Sequence, residues 1–134
     1  MTFYLSASLP CMQHYSYEYQ QLLNFLTEQN IPGVVFFSGD RHHSEVIRVD
    51  RADRYPLFDV TISPYTAGIS KAGGAEANNS FRIPNTLVEA QNFGKITVSG
   101  KRNERVMKIE FIGLKGDKLS EWSVSEKQLT NNNR

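Results

Sequence analysis

Apolar residues recur at Tyr15, Tyr19, Leu22, Leu23 and Leu26, an i, i+4, i+7, i+8, i+11 spacing that lines one stripe of a helix. The spacing predicts a helix from Tyr15 to Asn30, with Ser16 capping its start, Asn30 leaving it in the left-handed region and Pro32 unable to continue it. A short unbroken apolar run follows, Gly33-Val34-Val35-Phe36-Phe37-Ser38-Gly39, bounded by glycines and rich in β-branched and aromatic residues. That composition predicts a strand buried on both faces. The pattern then turns to alternation, with Phe58, Val60 and Ile62 against Asp59, Thr61 and Ser63, which predicts a strand with one core face and one wet face. Alternation returns in Ile96 and Val98 against Lys95 and Thr97, in Met107, Ile109 and Phe111 against Lys108 and Glu110, and in Trp122 and Val124 against Glu121 and Ser123. Gly100-Lys101-Arg102-Asn103-Glu104 and Lys115-Gly116-Asp117-Lys118 have hairpin length, so these strands are expected to form an antiparallel meander.

Between Ala67 and Ser80 the residues are small and polar without periodicity, which predicts a mobile loop, and residues 126–134 are expected to form a disordered tail. At 134 residues, without an internal repeat or a shift in composition, the chain reads as one domain or part of one. Fifteen Lys and Arg against 14 Asp and Glu leave a formal charge of +1 and no basic cluster, so no nucleic-acid partner is expected. No apolar run approaches a membrane span, and the first ten residues lack the basic and apolar regions of a signal peptide. The single Cys11, expected to be a half-buried free thiol, cannot form an intramolecular disulfide.

Candidate chemistry concentrates in Ser38-Gly39-Asp40-Arg41-His42-His43-Ser44-Glu45, at the end of the predicted buried strand. Asp40 offers a hard anionic oxygen and His42 an imidazole nitrogen, a mixed donor pair that suits Zn, Fe or Mn. Taken alone, the same residues also read as an Asp in a turn paired with Arg41, beside two surface histidines. His14, at the start of the predicted helix, is a poor ligand position.

The segment Gly33 to Glu45 resembles the strand and loop of alkaline phosphatase D-like (PhoD-like) metallophosphoesterases, and the resemblance continues in order along the chain. Tyr55-Pro56-Leu57-Phe58-Asp59-Val60-Thr61-Ile62-Ser63-Pro64 with Tyr65-Thr66-Ala67-Gly68, then Arg82-Ile83-Pro84-Asn85-Thr86, then Glu89-Ala90-Gln91-Asn92-Phe93-Gly94 are similar to successive segments of that family. Tyr15 to Leu23 looks like its aromatic-led helix, so the resemblance covers about residues 13 to 125.

The resemblance implies an α/β fold, the C-terminal half of a metallophosphoesterase β-sandwich. It implies a hydrolase of phosphoric mono- or diesters that uses a divalent or trivalent metal pair of Fe, Ca, Zn or Mn. Asp40 and His42 carry over as metal ligands from the Gly-Asp-x-His loop. Arg41 is a candidate for contact with a phosphate ester substrate, or for simple pairing with Glu45. His43 is expected to be a solvated neighbour of the site, and Glu45 to orient His42 or face solvent. Asn92 is expected to satisfy backbone groups nearby. The family's other ligands, Asp residues, an Asn and a His, lie in a longer N-terminal half without a counterpart in these 134 residues. The expectation is therefore a C-terminal portion that supplies the last ligand loop, with the alternative of a non-catalytic β-rich relic or interaction module. In either case an uncovered apolar face would favour self-association. The family is typically exported, and this chain shows no signal that fixes its compartment.

Overall fold

The computed structural model describes residues 10–131, with the side chains of residues 10–15 and Ala75 outside that description. The readings placed on Cys11, His14 and Tyr15 as side chains therefore lie outside the described residues.

Helix α1, Pro10–Glu28, starts six residues before the expected cap. Proline, which has no N–H to leave unsatisfied, suits a first helical position, and Ser16 is an exposed residue within the helix. The far end follows the sequence: Asn30 has φ 48°, and the Ile31 amide donates to the Leu26 carbonyl at 3.0 Å. The Leu22, Leu23 and Leu26 stripe joins the main core with Tyr55 and Leu57. Beyond α1, the Tyr55 hydroxyl donates to the Ile31 carbonyl at 2.6 Å.

The first sheet has the order β1-β3-β2, with β1 Val35–Ser38, β2 Glu45–Arg51 and β3 Arg54–Thr61. β1 runs parallel to β3, and β2 is antiparallel to it. The strand buried on both faces is β3 and not β1. Among the described residues β1 has only β3 beside it and Phe37 is 42% exposed, whereas β3 is central and buries Asp59 and Thr61 as well as Phe58 and Val60. The expected wet face of β3 is thus closed, and its polar groups pair with one another: Ser38 Oγ donates to Asp59 Oδ1 at 2.7 Å and lies 2.9 Å from Thr61 Oγ1. β2, which the alternation rule did not anticipate, pairs in register with β3 through Val46 with Val60 and Ile47 with Asp59.

The second sheet is the expected meander, β4 Asn92–Ser99, β5 Val106–Gly113 and β6 Lys118–Ser125, in the order β4-β5-β6. Its register places Ile96 beside Ile109 and Ile109 beside Trp122, which makes one apolar face. That face packs on the first sheet, with the Phe58 and Trp122 rings 4.8 Å apart and Gly94 against Ile62. The opposite face carries a charge ladder in which Lys108 lies 3.2 Å from Glu110 and 3.0 Å from Glu121. The tail expected after Ser125 is folded through Asn131, because Glu126–Leu129 forms a 3-10 turn behind a Ser125–Gln128 capping box and buries Leu129. Asn131 Oδ1 then accepts from the Tyr55 amide at 3.0 Å. Among the described residues the result is a small α/β protein of one helix and two three-stranded sheets, with the core between the sheets and beneath the helix.

Candidate functional site

β1 ends at Ser38, and the chain reverses through two non-glycine residues with positive φ, Asp40 at 67° and His42 at 61°. The Arg41 amide donates to the Gly39 carbonyl at 2.9 Å, which closes a three-residue turn around Asp40. Such conformations cost about 1–3 kcal/mol each and persist only where the surroundings enforce them, which is common at functional loops. The Asp40 carboxylate is thereby presented at the surface.

His42 is gripped on three sides. Its amide donates to Ser63 Oγ at 3.1 Å, its carbonyl accepts from the Ser70 amide at 2.8 Å, and its Nδ1 lies 2.6 Å from the Gly68 carbonyl. A carbonyl only accepts, so Nδ1 carries a proton, and in the neutral ring Nε2 is the nitrogen that keeps a lone pair. That is how metal-binding imidazoles are commonly held, with one nitrogen donating to a carbonyl and the other turned to the ion.

Behind the loop, Ser44 Oγ lies 3.0 Å from the Ser63 carbonyl and 2.9 Å from Asn92 Oδ1, and accepts from the Ser63 amide at 2.9 Å. Asn92 Nδ2 donates to the Ala90 carbonyl at 2.8 Å. The buried Asn92 amide is therefore committed to the chain around Ser63 and Ala90.

Glu45 opens β2 and is fully buried. Arg82 Nε donates to its Oε2 at 2.7 Å, Arg41 Nη1 lies 3.3 Å from its Oε1 and His43 Nε2 lies 3.5 Å from the same oxygen. Burial alone would raise its pKa, but His43 and Arg82 together hold the carboxyl below its usual range. Arg41 Nη2 reaches Glu76 at 2.8 Å, so its guanidinium forks between two carboxylates. Of the two readings of Arg41, pairing with Glu45 is the geometry present. Glu45 is shut off from solvent, and its carboxylate lies against Arg41, His43 and Arg82. His43 is 3% exposed rather than solvated, because it leads through Ser44, which bridges to Val88, into the buried start of β2, and neither ring nitrogen makes a well-formed hydrogen bond.

Arg82, Glu76, Gly68 and Ser63 are neighbours of the site that the sequence did not single out. Arg82 had a weak signal in Arg82-Ile83-Pro84, while Glu76 lies in an aperiodic loop and Gly68 acts only through its backbone. Among the described residues, no group of three or more His, Cys, Asp or Glu is arranged to hold a metal ion. Asp40 and His42 are suitable donor types for a metal, but two donors fall short of the three protein ligands usual for a catalytic ion. No reaction step follows from these two residues alone. Nor is any described helix long and apolar enough to cross a membrane. Comparison with protein-family models, curated proteins and solved structures finds no match for this chain.

Proposed function

We propose that the chain is part of a metal-dependent phosphoric ester hydrolase, in which Asp40 and His42 supply two ligands to a metal centre completed by groups outside the described residues. The observation that carries this reading is the His42 imidazole, held by the Gly68 carbonyl with Nε2 left as the lone-pair nitrogen on a strained loop beside an exposed carboxylate. The ordered resemblance to PhoD-like metallophosphoesterases supports the same assignment. A metal pair in such a centre activates water and stabilises the charge of an in-line displacement at phosphorus. This chain's part is to hold one oxygen and one nitrogen donor in fixed directions. Metal content and hydrolysis of aryl phosphate mono- and diesters test the assignment. Loss of metal in both Asp40→Ala and His42→Ala is expected, and binding or activity that survives both substitutions overturns it.

A second reading, a non-catalytic β-rich interaction module, draws on the lack of a third donor among the described residues and on the exposure of Ile96 and Val98. Stoichiometric metal binding with turnover by the 134-residue chain would exclude it.

A further inference from the structure

The segment after β3, expected to be a mobile loop, is tied to its surroundings along its length. Gln91 Nε2 donates to the Thr66 and Ala67 carbonyls at 3.2 and 3.0 Å. The Ala72 amide donates to Glu89 Oε1 at 2.6 Å. A 3-10 turn, Gly74–Glu76, then places Glu76 against Arg41 at 2.8 Å, while Arg82 Nη2 donates to the Glu76 carbonyl at 2.8 Å and Arg82 Nε holds Glu45. Between the Gln91 and Glu89 anchors lie the groups that grip His42, the Gly68 carbonyl and the Ser70 amide.

We infer that residues 66–76 form a positioning strap for His42, with Gln91, Glu89 and the Arg41–Glu76–Arg82 cluster as its anchors and the Gly68 carbonyl as the group that selects the imidazole tautomer. The side chains of Glu89 and Gln91 and the Glu76 turn thus act on His42 through the backbone, and none of them touches the ligand atoms. The inference rests on the proposed role of His42 for its purpose, although not for its geometry. An imidazole without such a partner exchanges between its two neutral tautomers, and the strap removes that freedom before any ion arrives.

The test is the nitrogen-15 spectrum of the His42 ring in the full chain near pH 8. The wild type is expected to show a protonated Nδ1 and an unprotonated Nε2. Glu89→Ala, at an exposed position that should not endanger folding, and Glu76→Ala are each expected to shift His42 toward a mixture of tautomers and to speed exchange of the Ser70 amide at least tenfold. An unprotonated Nδ1 in the wild type overturns the inference, as does an unchanged tautomer in both folded variants. Zinc titration separates the two claims. Tautomer loss in the variants, with no movement of His42 Nε2 on adding zinc to the wild type, leaves the strap standing and removes the metal assignment.

Discussion

Asp59 lies in the middle of β3, 5% exposed, with Oδ1 accepting from Ser38 and Oδ2 without a hydrogen-bond partner. Burial pushes its carboxyl up from 3.8 to about 6, and the Glu45 charge adds to that while the Ser38 hydrogen bond and Arg41 oppose it. The folded chain therefore binds the Asp59 proton more tightly than the unfolded chain does. Between those two values the native state holds more protons, so stability contributed at this residue falls as pH rises through the window and is at its lowest above it. The difference corresponds to about 3 kcal/mol. Asp59→Asn removes the titration. Its urea stability relative to wild type is expected to improve by up to that amount between about pH 4 and about pH 8, a comparison in which any fixed packing cost of the amide cancels. A wild-type-to-variant difference that does not change with pH contradicts the account. Glu45 works in the opposite sense: its lowered pKa gives stability that is present above the ordinary carboxylate range and lost as pH falls.

At the scale of elements, the two sheets approach closely where Gly94 of β4 meets Ile62 just beyond β3, and a Cβ at position 94 would strike the Ile62 side chain. Gly94→Ala is expected to destabilise the fold by about 1–3 kcal/mol in urea denaturation, through overpacking. Gly68→Ala, with nothing within 4 Å, is the control, and equal stability of the two variants would contradict this packing. The C-terminal end of α1 and the β4-β5-β6 meander were legible because both rest on local signals, a left-handed Asn before Pro and strict alternation between glycine-bearing turns. β2 was not legible, since Val46 and Ile47 are adjacent and its hairpin turns on Asp53 at φ 56° instead of a glycine. The polar face of β3 misled for a related reason. Asp59, Thr61 and Ser63 read as wet, yet they are closed in by Ser38, Ser44 and the loop after β1. Asp40 and His42 stand together in the sequence, whereas Glu76 and Arg82 reach the loop by tertiary contacts that no local period encodes.

Across the whole molecule, the inward face of the second sheet extends past the part covered by Ile62. Ile96 is 47% and Val98 60% exposed, although both alternate as core residues. This uncovered stretch of an edge strand predicts self-association in solution. The chain is expected to elute larger than a monomer in size-exclusion chromatography, and Val98→Lys to return it toward a monomer. A wild type that stays monomeric at all accessible concentrations contradicts that expectation. The same architecture sets the loop after β1 at the sheet end, where Asp40 is exposed and His42 is half-buried against the Gly68 carbonyl. The central claim is that these two residues bind metal. It is tested most directly by titrating zinc into the nitrogen-15-labelled chain and following the His42 ring. The account predicts that His42 Nε2 shifts on binding and that Asp40→Ala abolishes the shift; no movement at millimolar zinc, or binding that leaves His42 unperturbed, would contradict it.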